Sequence, residues 1–336
     1  MQIKIKDIAK KTGVSTATVS RVLNESAQVS EDTAKKIQKV LGELDYYSNF
    51  TARNLRRGIT TTIGFVVSNI ANSFFAKAAF AIETELRKKA NYDLIISNTE
   101  YSKDLEIRSL KVLISQKVRG IILAPVSSNN ELINKIIKVL KIPLVLVDNN
   151  LQNIQAPAVL QEDLGGVYRL TSHLMSHGHK KIAFLGGKLT ETSGLRRLEG
   201  YKKALIDNKI PVRDHFIKIG EWDIEAGFKM TKQLLRLNKK PTAMVSADTH
   251  IGIGCLLALR QKKIKVPEDI ALVSFDDLEF CSVLSPPLTT LAEVAPKVGK
   301  TAAHLLLKMI RTGNFESKEI LIKSEIVPRK SCGCKT

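Results

Sequence analysis

Asp7-Ile8-Ala9-Lys10-Lys11-Thr12-Gly13-Val14-Ser15-Thr16-Ala17-Thr18-Val19-Ser20-Arg21-Val22-Leu23-Asn24 is the stretch on which the reading of this chain turns. Ile5, Ile8 and Ala9 recur at i, i+3 and i+4, which places them on one face of a short helix over 5–12. Gly13 follows where a left-handed residue ends a helix. Ser15 offers its side-chain oxygen to the free N–H groups of a second helix, from Thr16 to about Asn24. In that helix Thr18, Val19, Val22 and Leu23 share one face; Thr16, Ala17, Ser20, Arg21 and Asn24 share the other. A third helix begins at Ser30, with Glu31 and Asp32 beside the positive end of its dipole, and runs through Ile37, Val40, Leu41 and Leu44. Two helices joined by a tight turn and backed by a third form the helix-turn-helix arrangement. Its second helix buries an apolar face and offers a polar one to a major groove. Arg21 then stands where its fork of donors can meet guanine O6 and N7.

This stretch resembles the head of the lac repressor family of transcriptional regulators, whose pattern I/V-A-x-x-x-G-V-S-x-x-T-V-S-x-V-L-N it keeps nearly throughout. The resemblance implies a DNA contact set of Ser15, Thr16, Ala17, Thr18, Ser20, Arg21, Asn24 and Ser30. It extends to Asn49-Phe50-Thr51-Ala52-Arg53-Asn54-Leu55-Arg56-Arg57-Gly58, which is similar to the family's hinge segment. There the resemblance implies a helix that forms in the minor groove, with Leu55 wedged between base steps and Arg56 at the backbone. A short basic helix that is marginal alone and ordered by phosphates suits such a role. Ser48 stands where the family often has proline, and Lys4 where a capping threonine is usual.

Composition agrees with a polyanion partner without locating it. The net charge is +19, yet residues 1–60 carry only 11 Lys/Arg against 6 Asp/Glu. At 336 residues the chain suits two or three compact units. It has no apolar run of membrane-spanning length, and its first residues lack the apolar core of a secretion signal, so a cytoplasmic protein without a membrane partner is expected.

From Thr61 onward, short β-branched runs at 63–67, 92–96, 120–124 and 143–147 alternate with amphipathic stretches at 74–90, 104–116 and 129–140. The series restarts after about residue 162, with strands near 181–186, 242–246 and 270–275 and helices at 163–177, 195–208, 224–237 and 250–263. Repeated β-α-β units imply parallel sheets covered on both faces, with ligands near the carboxyl ends of the strands. The expected fold is thus a small all-α helix-turn-helix head plus a two-lobed α/β body. By resemblance that body is periplasmic-binding-protein-like, with three crossovers between lobes. The divisions expected are 1–48 for the head and 49–60 for the hinge. Residues 61–161 and 290–322 make the first lobe, and 162–289 and 323–336 the second.

The resemblance places an effector between the lobes, at Phe74, Phe75, Asp148, Ser193, Arg197, Trp222, Asp248 and Asp276. Carboxylates accept from vicinal hydroxyls, Arg197 offers a fixed fork, and aromatics cover the apolar face of a ring, which together suit a sugar or polyol. Glu191 occupies a position where purine-binding relatives carry arginine, which weighs against a purine. Arg196 and Lys188 keep a sugar phosphate or sugar acid open. Against these readings, Trp222 and Phe74 also suit ordinary core, and Asp276 beside Asp277 suits a helix cap. Asp248-Thr249 departs from the family's common Asn-Asp pair. The partners expected are an operator in double-stranded DNA, a sugar-like effector and a second copy of the chain.

No enzyme is expected. Val298-Gly299-Lys300-Thr301 ends like a phosphate loop, but Val294 replaces the required glycine and Pro296 interrupts. No G-x-S-x-G or G-x-G-x-x-G occurs. Four cysteines, Cys255, Cys281, Cys332 and Cys334, include no CxxC pair. Cys332-Gly333-Cys334 could hold a metal or sense redox state, but reduced thiols are the expectation. His173, His177 and His179 lack an accompanying carboxylate motif. Neither a cofactor nor a metal is therefore expected.

Overall fold

The computed structural model describes residues 5–23, 29–44, 60–126, 142–151, 154, 156–313 and 318–334, in two units, 1–60 and 61–336. Asn24, the hinge positions 49–59 with Leu55 and Arg56, and the helix expected at 129–140 lie outside the described residues.

Among the described residues the first unit holds three helices, α1 (Ile5–Thr12), α2 (Thr16–Leu23) and α3 (Glu31–Glu43). Ile8, Ala9, Val19, Ile37 and Val40 form its core, so the apolar spacing read from sequence is the spacing that packs. Gly13 ends α1 with φ +70°, and Val14 N–H reaches back to Ala9 O at 3.2 Å. Ser15 Oγ accepts from Thr18 N–H at 3.0 Å, which caps α2. Ser30 occupies the cap position of α3, but its hydroxyl pairs with Thr33 Oγ1 at 2.8 Å rather than with a backbone N–H. Thr16, Ala17 and Arg21 are exposed along α2, opposite buried Val19.

The described residues of the body form two six-stranded sheets. In the first, β1 (Thr62–Val67), β2 (Asp93–Asn98), β3 (Gly120–Leu123), β4 (Leu144–Val147), β5 (Ala158–Gln161) and β11 (Glu319–Ile322) lie in the order β11-β5-β4-β3-β1-β2, all parallel. In the second, β6 (Ile182–Gly186), β7 (Ile217–Ile219), β8 (Ala243–Ser246), β9 (Ala271–Ser274), β10 (Thr289–Leu291) and β12 (Ile326–Val327) lie in the order β12-β10-β9-β8-β6-β7. Only β12 runs antiparallel to its neighbour. Both sheets thus share one doubly wound order, in which the crevice beyond the carboxyl ends of the strands is the natural ligand position.

Helices cover the sheets. Helix α4 (Ser73–Ala90) and α10 (Ala295–Thr312) pack Phe75, Ile82, Val298 and Leu306 onto the first sheet, while α5 (Lys103–Ser115) covers its other face with Leu110 and Leu113. In the second lobe α6 (Asp163–Ser176) and α7 (Thr192–Asp207) seat Leu170 and Tyr201. Helices α8 (Ile224–Leu235) and α9 (Thr249–Gln261) seat Met230 and Ile251 on the opposite face. Strands such as β3, β4 and β8 are buried on both faces, which is why they read as continuous apolar runs.

Strands β5, β7, β10, β11 and β12 lie outside the runs that the sequence pattern marks as strands. The expected return to the first lobe at residue 290 is also shifted. Thr290 and Leu291 belong to β10 of the second sheet, and Leu291 is part of that lobe's core, so the chain crosses at 292–294. The crossings are stitched together. Arg169 donates to Glu162 Oε2 at 2.9 Å and to Ser324 O at 2.8 Å, and Ala292 N–H donates to Glu325 O at 2.7 Å.

Candidate effector cleft and helix-turn-helix head

A cleft of about 360 Å³ lies between the lobes, and Phe74, Phe75, Asp148, Ser193, Arg197, Trp222, Asp248 and Asp276 all line it. These residues, far apart in sequence, meet because strand ends and helix starts face each other across the gap. Asp148 follows β4, Trp222 follows β7, Asp248 follows β8 and Asp276 follows β9. Phe74 and Ser193 lie in the first turns of α4 and α7. Phe74 and Phe75 serve both readings, because they belong to the first lobe's core and also border the cleft. Their rings meet edge to face at 5.2 Å.

Arg197 is the one cation among the described lining residues, and it is only 4% exposed. Its Nε donates to Asp163 Oδ1 at 2.8 Å and its Nη1 donates to Ala247 O at 2.7 Å. The guanidinium also lies 3.8 Å from the Phe275 ring centre and 5.4 Å from that of Trp222. Such a clamp fixes the plane of the fork and leaves its other N–H groups for the cleft. Burial works against the charge, but Asp163, Asp276 and Asp148 hold the guanidinium firmly protonated.

Four carboxyl groups face this single cation, and Asp163 already neutralises it. Burial pushes Asp276 up to about 7 and Glu191 up to about 7, and raises Asp148 well above the usual carboxylate range. Asp248 caps α9, accepting from His250 N–H at 2.7 Å, so its structural and cleft-lining positions coincide. Arg196 pairs with Glu319 at 3.2 Å, and Lys188 pairs with Glu221 at 2.8 Å while its Nζ lies 5.1 Å from the ring centre of Tyr101 at the cleft.

Sequence reasoning missed Ser68, Asn72, Tyr101 and Gln161 as lining residues, and weighed Glu191 only against a purine. Most stand at the carboxyl ends of strands, a signal that was available once the strands were assigned. Glu191 Oε2 accepts from Trp222 Nε1 at 3.1 Å, while Glu191 Oε1 is buried without a hydrogen-bond partner among the described residues. The Trp222 ring lies flat against Gly187, where a Cβ would come within 2.1 Å of ring atoms. Between lobes, Asn149 Oδ1 accepts from Ser193 N–H at 2.9 Å and from Thr192 Oγ1 at 3.1 Å. Its amide donates to Asp148 Oδ2 at 3.0 Å, so this latch bears on a lining carboxylate.

Comparison with known proteins places both parts. Residues 4–49 match the family model described as bacterial regulatory proteins, lacI family, and residues 171–332 match that of a periplasmic binding protein-like domain. The HTH-type transcriptional repressor PurR of Vibrio atlanticus is 32% identical over 97% of this chain and 98% of its own length. The chain belongs to the lacI family. The ribose operon repressor of Haemophilus influenzae is likewise 32% identical to this lacI-family protein, over 97% of it and 98% of the relative. A lac repressor dimer solved with operator and the anti-inducer ONPF matches it with a TM-score of 0.88 at 27% identity, covering 99% of each chain. The lacI-family relatives are transcriptional repressors, not enzymes, and the head described above is the family's DNA-binding helix-turn-helix. No described helix is long and apolar enough to cross a membrane.

Proposed function

We propose that this chain is a cytoplasmic, ligand-responsive repressor that binds a pseudo-palindromic operator as a homodimer and takes an uncharged sugar or polyol between its lobes. The observation that carries the ligand class is the charge of the cleft: among the described lining residues four carboxyl groups border it, and the one cation is tied to Asp163. Hydroxyl donors suit such a lining, whereas phosphate or carboxylate groups would meet four acids. Phe74 and Trp222 supply the apolar faces that a sugar ring needs.

Arg21 and its exposed neighbours on α2 read base edges in the major groove, and Ser15 and Ser30 lie near the backbone. The expected contacts of Asn24, Leu55 and Arg56 complete this reading. Apolar residues left in water support a second copy: Phe80 is 72% and Val283 79% exposed. Phe80 lies one turn beyond Lys77, which pairs at 3.3 Å with Glu279, four residues before Val283, so both lie on one side of the body. Ligand held by Asp148 from one lobe and by Arg197, Trp222 and Asp276 from the other couples lobe closure to the spacing of the two heads.

The test is selection of bound duplexes from a random DNA library with the intact protein, repeated with ribose, other neutral sugars and purine bases. An enriched pseudo-palindrome whose retention changes with a neutral sugar supports the whole reading. A purine response would overturn the ligand class alone, and sequence-blind binding would overturn the operator assignment.

A further inference from the structure

Four side chains set aside in the sequence converge on one point of the second lobe. His173 lies in the last turn of α6 and His177 caps it, while Cys332 and Cys334 come from a segment some 160 positions later. His173 Nε2 is 3.3 Å from Cys332 Sγ and 3.6 Å from Cys334 Sγ. His177 Nε2 is 3.3 Å from Cys334 Sγ, and the two free thiols lie 3.1 Å apart. All four ligand atoms fall within 4.8 Å of one another. His179, grouped with the other histidines in the sequence, pairs instead with Thr242 Oγ1 at 3.1 Å.

We propose that His173, His177, Cys332 and Cys334 form a structural zinc site that fastens the C-terminal segment to helix α6. Zinc bound at the usual ~2.3 Å to sulfur and ~2.0 Å to nitrogen sets tetrahedral ligand atoms roughly 3.3–3.8 Å apart. The four contacts given above, 3.1 to 3.6 Å, lie within or just below that range, and the remaining pairs lie within 4.8 Å, so modest adjustments of the rings and thiols complete the sphere. Two thiolates with two imidazoles select zinc over the oxygen-seeking cations. Four protein ligands leave no open position, which makes the role a fastening and not a reaction.

The surroundings hold the ligands in place without the metal. Ser331, fully buried, donates to Leu272 O at 2.6 Å and accepts from Thr289 N–H at 2.8 Å. Arg329 grips Asp277 through both Nη atoms, at 2.8 and 2.7 Å. Gly333 adopts φ +91°, a left-handed turn that brings both flanking thiols to the helix. Histidines spaced i, i+4 share one helical face, and their ring centres are 4.7 Å apart. The C-x-C spacing departs from zinc-ribbon patterns, and its partners lie on a distant helix, so the site is invisible until the chain folds. It does not depend on the effector or operator reading.

The test uses the intact protein, purified under reducing conditions, stripped of metal and titrated with cobalt(II) and then zinc. One equivalent of cobalt per chain should give thiolate-to-metal charge transfer and tetrahedral d–d absorption, both removed by zinc. Zinc should raise the unfolding midpoint. His177 is exposed and Cys334 only half-buried, so His177→Gln and Cys334→Ser should keep the folded circular dichroism while losing cobalt affinity roughly tenfold or more. Absence of the thiolate band in the folded protein, equal affinity in both variants, or a Cys332–Cys334 disulfide in protein kept reduced would each overturn the proposal.

Discussion

Asp148 and Asp276 take up the same left-handed backbone conformation, φ 64° and φ 68°, at the ends of the corresponding strands β4 and β9 in the two lobes. Such a conformation is strained for a residue with a side chain, and aspartate tolerates it better than most. It turns two carboxyl groups out of their strands and into one cleft. Sites that hold strain of this kind in matching places are more readily explained by ligand contact than by stability.

The raised carboxyl groups give the cleft a pH response. Asp276 and Glu191, at about 7 when the cleft holds no ligand, ionise most readily when hydroxyls donate to them. Affinity for a neutral sugar should therefore rise between pH 6 and pH 8. Stability without ligand should move the other way. Groups held above their unfolded values favour the folded state below those values, and this contribution is lost as pH rises through about 7. Thermal unfolding with and without sugar at the two pH values checks both signs, and Asp276→Asn should flatten both trends.

Arg197 and Asp163, 4% and 2% exposed, form a buried pair whose halves depend on each other. Arg197→Met should destabilise the body by roughly 3–5 kcal/mol, because an uncompensated carboxylate remains. Combining it with Asp163→Leu should recover much of the stability but none of the sugar binding. Urea denaturation and ligand titration of the three variants separate the two effects. Recovery of binding in the double variant would remove Arg197 from the site.

Gly187 is where a small change should disturb the cleft without disturbing the fold. A Cβ there would collide with Trp222 at 2.1 Å, and the ring has a side facing the cleft to which it can move. Gly187→Ala should shift the emission of this single tryptophan and weaken sugar binding by roughly tenfold, about 1.4 kcal/mol. Unchanged emission would mean that the backbone yields instead.

In the head, Arg21→Ala should relax preference at one base pair of each half-site by ~1–3 kcal/mol while leaving the other positions intact. Competition binding against single-base operator variants reads this directly. A uniform loss across all variants would make Arg21 a phosphate contact.

What could be read in advance followed physical periodicity. Ile8, Val19 and Ile37 announced the head core by spacing, and the doubly buried β3, β4 and β8 stood out as unbroken apolar runs. Strands β7, β10 and β12 are two or three residues long, too short for a period to show. The eight cleft residues expected by resemblance do gather in one place, but Tyr101 and Gln161 join them only through the geometry of neighbouring strand ends. The His173/His177 spacing and the Cys332-Gly333-Cys334 run each gave a local signal, but that the two meet is a product of the second lobe's folding, which joins segments far apart in sequence.

The last strand of the first sheet, β11, and the helix α10 that covers its core are both made after the entire second-lobe sheet except β12. During synthesis the first lobe therefore waits with Phe75, Ile82 and Val298's partners uncovered until residues near 320 leave the ribosome. The second lobe, nearly complete by β10, has the chance to form first and to act as a template on which the earlier half closes. The head, whose described core of Ile8, Ala9, Val19, Ile37 and Val40 draws on no residue beyond the first 44, needs neither lobe in order to pack.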